Sequence, residues 1–134
     1  MKVVLDTNIF VSGTFWKSSL SRQILDSWDN DKFTLVSSNE MIAELVRILR
    51  DFKVRMADDE IELIKENIFS KAIIVEPLER VQIVKDDPDD DKFFEAAIAG
   101  GVGWIVSQDR HLLKVRVYRG VNVVTPEEFM YLLV

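Results

Sequence analysis

The segment KVVLDTNIF at residues 2–10 narrows the choice of fold more than any other. Val3, Val4 and Leu5 form an unbroken apolar run with two β-branched residues. Such a run reads as a strand covered on both faces, as in a parallel sheet sandwiched by helices. Asp6 stops the run, and Thr7 and Asn8, residues of turns and caps, follow it. A central strand that delivers a carboxylate at its C-terminal end marks the usual ligand crevice of an open α/β sheet. The plainer reading has Asp6 capping the next helix. Both readings stand at this point.

The rest of the chain repeats the strand–helix alternation. Short apolar runs at 33–36, 72–75, 104–106 and 121–124 read as further strands, and 81–84 as an extended connection. Residues 9–15 read as a helical or irregular crossover broken near Gly13. Ser18 or Ser19 caps a helix to about Trp28. Ser37 and Glu40 have capping-box spacing and open a helix striped by Met41, Leu45, Ile48 and Phe52. Asp58 caps another, with Ile61, Ile64 and Ile68 on one side. Pro88 and its aspartates start a helix through Ala99 that Gly100 and Gly101 end. Pro126 begins a last short helix that buries Phe129, Leu132 and Leu133. Alternation of this kind gives an α/β fold with a parallel sheet between helices. The 134 residues carry no repeat or linker, so residues 1–134 read as a single domain.

Composition excludes several chemistries. There is no cysteine, which removes disulfides, thiolate metal sites and thiol catalysis. One histidine, His111, forbids a multi-histidine metal site. Any metal must bind through oxygen, which suits Mg2+, Mn2+ or Ca2+. No apolar run approaches a membrane span and the N-terminus lacks a signal-peptide pattern, so a cytoplasmic protein with no membrane partner is expected. A net charge of −6 counts against plain coating of nucleic acid, and less against an enzyme whose acids hold cations.

The carboxylates converge in this topology. Asp6 ends the first strand, Glu44 lies in the helix after the second, and Asp109 follows the fourth, so all three reach one sheet edge. Between Asp86 and Asp91 stand five carboxylates in six residues. Crowded acids raise one another's pKa unless a cation neutralises them. A helix N-terminus favours one or two of them. Asp86 and Asp87 read as loop and capping residues. Phe93, Phe94 and Ala97 follow Asp90 at helical spacing, which sets Asp90 at the edge of the buried face, with Asp91 a rival one position round. Glu44 borders a buried face between Met41 and Leu45, or else is an exposed glutamate pairing with Arg47.

LDTNIF, SSNEMIAEL, DPDDDKFFEAAIAGG and IVSQD resemble, in order and spacing, the acidic motifs of PIN-domain ribonucleases. The likeness is to the VapC-like branch, the toxins of toxin–antitoxin pairs, and the closing VVTPEEF fits that branch. The resemblance implies a three-layer α/β/α sandwich with a five-stranded parallel sheet, order 3-2-1-4-5. It implies a metal-dependent endoribonuclease with catalytic acids Asp6, Glu44, Asp90 and Asp109, holding Mg2+ or Mn2+, with Asp91 an alternative third ligand. Thr7, Asn8 and Ser107 match the polar positions that orient those acids. RNA substrate, a cognate antitoxin and a homodimer are the implied partners.

Arg110, His111, Lys114 and Arg116, beside Asp109, are candidates for RNA phosphates or a plain exposed edge. Arg47, Arg50, Lys53 and Arg55 form a second basic run. Phe15 and Trp16 stack on bases, are buried, or belong to a protein interface. A haloacid-dehalogenase-type phosphatase would need an acid where Asn8 stands. A receiver domain would need a phosphoacceptor where the third strand runs into Glu76 and Pro77. A PIN fold that only binds RNA or protein is the remaining alternative.

Overall fold

The structure is a computed structural model that describes residues 1–51 and 56–134. Among these residues six strands form one sheet: β1 (Lys2–Leu5), β2 (Thr34–Ser38), β3 (Ile73–Val75), β4 (Trp104–Val106), β5 (Val117–Tyr118) and β6 (Val121–Val124), in the order β3-β2-β1-β4-β6-β5. All neighbours pair in parallel except β5 with β6. The strand expected at 121–124 is therefore β6, and the five expected strands keep their order. The addition is β5, a two-residue antiparallel edge. Arg119 and Gly120 turn it back with φ of 50° and 81°, the paired positive values of a tight hairpin.

Among the described residues seven helices cover the sheet: α1 (Thr7–Phe15), α2 (Leu20–Asp29), α3 (Asn39–Asp51), α4 (Asp58–Lys71), α5 (Asp91–Gly100), α6 (Arg110–Val115) and α7 (Pro126–Leu132). A single 3-10 turn, Pro88–Asp90, leads into α5. Side chains alternate across the sheet as the pleat demands. Val3, Leu5, Leu35, Val106 and Val124 pack with Ile9, Ile24, Trp28, Leu45, Leu49, Ile61, Ile68 and Phe129 on one face. Val4, Val36, Ile105 and Val123 pack with Phe93, Phe94, Ala97 and Leu112 on the other. This is the three-layer sandwich that the sequence implies.

Four local readings need correction. Helix α1 runs unbroken through Gly13, because a Cβ there would stand 2.9 Å from the Ser21 carbonyl oxygen; the glycine admits α2 rather than ending α1. Ser37 and Ser38 are buried in β2, and Ser38 accepts from the Met41 amide at 3.3 Å, so the α3 start lies later than Ser37. Ala57, not Asp58, precedes α4, with no side-chain cap. Leu132, expected inside, is exposed at the end of α7, which buries Phe129 instead. Ser19 caps α2, Gly101 closes α5 with φ of 62°, and Thr125 with Glu128 forms a capping box on α7, all as expected. Residues 76–87 make an extended connection in which Val81 and Val84 are buried. Phe52, Lys53 and Arg55 lie outside the described residues.

Candidate metal centre

At the end of β1, Asp6 serves both of its readings. Its Oδ1 accepts from the Asn8 amide at 3.3 Å and caps α1. It is also only 4 % exposed, and its Oδ2 accepts from the Ser107 hydroxyl at 2.6 Å. Burial pushes its carboxyl pKa up, and the charges of Asp109 and Glu44 add to that, against the hydrogen bonds from Ser107 and Asn8. Ser107, fully buried after β4, also accepts from the Asp109 amide at 2.9 Å, so one hydroxyl ties two acidic segments together. Asp109 caps α6 by accepting from the His111 amide at 2.8 Å.

Asp90 ends the 3-10 turn and faces these groups. Carboxylate oxygens of Asp87, Asp90 and Asp109 lie within 4.8 Å of one another. The Asp90 carboxyl is pushed up to about 8, first by burial and then by the charges of Asp87, Asp6 and Asp109 beside it. No donor among the described residues reaches its buried Oδ2. Such crowding leaves an acid protonated or calls for a cation.

Asp91, the rival, is differently engaged. Its Oδ1 accepts from the amides of Ile83 at 3.0 Å and Val84 at 2.8 Å, which fastens the extended connection to α5. Glu95 does the same one turn later through the Val81 amide at 3.0 Å and Arg80. Glu44 lies apart from the triple cluster. Its Oε1 accepts from the Thr7 hydroxyl and its Oε2 from the Lys92 ammonium. Asn8 enters the site through its backbone amide.

Two participants went unread in the sequence. Asp87 stands inside the cluster, where a loop or cap was expected. Lys92 is buried at 3 % exposure, and the only trace of it is a lysine interrupting an otherwise buried helical face. Burial works against its charge, yet Glu44 and Asp89 outweigh that and hold it above the ordinary lysine value.

The basic candidates ring the site without entering it. Arg110, His111, Lys114 and Arg116 are exposed; His111 Nδ1 and Lys114 Nζ stand 3.6 and 3.7 Å from Asp86. Arg119 is paired with Glu79 at 2.8 Å. Arg47 exerts its charge on Asp89, while Arg47 and Arg50 line a groove of about 400 Å³ between α3 and α4. Phe15 packs against the core, with Trp16 edge-on to it and half-exposed.

A family model of the PIN domain matches residues 2–111. The chain belongs to the PIN-domain family. Among solved structures, this PIN domain is similar to VapBC2 from Rickettsia felis bound to a promoter DNA fragment. There the identity is 18%, the match covers 93% of this chain and 98% of that one, and the TM-score is 0.59. It is also similar to FitAB bound to a DNA fragment (14% identity, 92% and 94% covered, TM-score 0.56). A further match is FitAcB from Neisseria gonorrhoeae (14% identity, 93% and 98% covered, TM-score 0.54). No curated protein matches the chain. At these identities the likeness is one of fold. No described helix is long and apolar enough to cross a membrane.

Proposed function

We propose that this PIN domain is a divalent-metal-dependent endoribonuclease and the toxin of a toxin–antitoxin pair. The observation that carries the reading is Asp90, a carboxyl set among three other acids with one buried oxygen that no donor among the described residues reaches. The donors are all carboxylate oxygens, which suits Mg2+ or Mn2+. Asp87, Asp90 and Asp109 would hold the ion, with Asp6 beside them. Bound there, it would supply an acidified water for phosphodiester hydrolysis and neutralise charge on the attacked phosphate.

The chain's own residues do the positioning. Ser107 fixes Asp6 and the Asp109 backbone with one hydroxyl, and Thr7 fixes Glu44. Arg110, His111, Lys114 and Arg116 on one side and Arg47 on the other would take RNA phosphates flanking the acids. An antitoxin partner is supported by the fold shared with VapBC2 and FitAB. A homodimer and a cytoplasmic location belong to the same proposal.

The test is cleavage of a panel of structured and single-stranded RNAs with Mn2+, Mg2+ or EDTA, with Asp6→Asn alongside. Asparagine caps a helix as well as aspartate does, so the fold is retained. Metal-dependent cutting that vanishes in Asp6→Asn is expected. Full activity in that variant would sink the assignment. No cutting, together with no Mn2+-dependent rise in Tm, would favour a PIN fold that only binds RNA or protein.

A further inference from the structure

We infer that Lys92 is the resident cation of the acidic crevice, and that it keeps Glu44 from metal binding, so that the site takes one divalent ion per chain. The inference rests on the metal-site reading above and concerns how that site divides its acids. An ammonium has three N–H donors. The three acceptors around Lys92 Nζ are the Asp89 carbonyl at 2.7 Å, Asp89 Oδ2 at 3.1 Å and Glu44 Oε2. The ammonium also stands 5.0 Å from the Phe93 ring centre. With its donors matched and its side chain buried, Lys92 is a fixed charge.

Glu44 is correspondingly occupied. Thr7 donates to one of its oxygens and Lys92 to the other. The carboxylate lies outside the group formed by Asp87, Asp90 and Asp109. An ion bound to Glu44 would share its carboxylate with a buried ammonium and face like charge across a low-dielectric gap. Asp89 is engaged by the same ammonium. The line Asp89–Lys92–Glu44–Thr7 instead joins the starts of α5 and α1 to α3. Thr7 adjoins Asp6, so the line fixes the acid edge from one side while Ser107 fixes it from the other. Lys92 and Glu44 are thus positioning residues.

The experiment is Mn2+ titration of the full chain at pH 7.5, with free Mn2+ read by electron paramagnetic resonance, on the wild type, Glu44→Gln, Lys92→Met, Lys92→Arg and Asp90→Asn. One Mn2+ per chain is expected for the wild type and for Glu44→Gln, the latter weakened by no more than about threefold. Asp90→Asn should weaken binding by about a hundredfold, the upper end of the loss usual for supporting residues. Lys92→Met should admit a second ion or tighten the first by about tenfold, and Lys92→Arg should restore the wild-type stoichiometry. Two ions on the wild type, or a Glu44→Gln loss equal to that of Asp90→Asn, would overturn the inference while leaving the metal site standing. A wild type that binds no Mn2+, or an Asp90→Asn that binds as the wild type does, would overturn the metal site and the inference with it. Should Lys92→Met fail to fold, the wild-type and Glu44→Gln titrations decide.

Discussion

Asp90→Asn should make the metal-free protein more stable at pH 8 and by a smaller margin at pH 5. The fold raises the Asp90 pKa from 3.8 to about 8, so the native state favours its neutral form. For an acid shifted upward, the stabilising contribution is complete below the unfolded value near 4 and is lost as pH climbs through the folded value near 8. Asparagine has the shape of the neutral carboxylic acid and cannot ionise, so it keeps the contribution at every pH. Asp90 is only half-buried, and screening by solvent and counter-ions cuts the effect of so large a shift to about 2 kcal/mol at pH 8. For a chain of this size that is about 8 °C in Tm. Differential scanning calorimetry in EDTA at pH 5 and pH 8 measures it. Mn2+ at a hundred times the wild-type Kd should then raise the wild-type Tm at pH 8 through about 2.7 kcal/mol of linkage, and the Asp90→Asn Tm through only about 0.4 kcal/mol. If Asp90→Asn is less stable than the wild type at pH 8, or the difference is the same at both pH values, the crowding argument fails.

Further outcomes follow from single contacts. Ser107→Ala removes the hydroxyl shared by Asp6 and the Asp109 amide, and should cost about ten- to a hundredfold in Mn2+ affinity with the fold intact by circular dichroism. Asp91→Ala strands the amides of Ile83 and Val84, and should cost about 2–3 kcal/mol in urea unfolding. By contrast, Asp91→Ala should leave Mn2+ stoichiometry unchanged, which separates it from Asp90. Gly13→Ala places a methyl against the Ser21 carbonyl and Leu25, and should lower stability by about 1–3 kcal/mol, read as a fall in Tm.

Much of the fold was legible because its strands are short apolar runs with abrupt ends. Trp104–Val106 and Val121–Val124 fall where the pattern puts them. β5 was not legible: two residues make no periodicity, and its turn is Arg119–Gly120 rather than an asparagine–glycine pair. The α3 start was misplaced because buried serines extend a strand without an apolar signature. In the site, each acid's segment could be read, but the partner of each acid could not. Asp90 and Asp91 are adjacent in sequence, yet one meets three acids and the other two backbone amides. Lys92 was invisible for the same reason, since its acceptors come from a helix 48 positions away as well as from its own turn.

The sheet order has a consequence for synthesis. β1 is paired on one side with β4, and β4 in turn with β6, so Asp6 and Ser107 meet across 101 positions of chain. The Ser107 amide is itself held by the Val124 carbonyl at 3.0 Å. A chain still on the ribosome therefore has every acid of the centre translated well before it has the strand that sets them in place. Contacts of such long range close late in folding. In this order the Asp6–Ser107 contact that braces the acidic centre has its full support only once β6 has been made and has docked on β4.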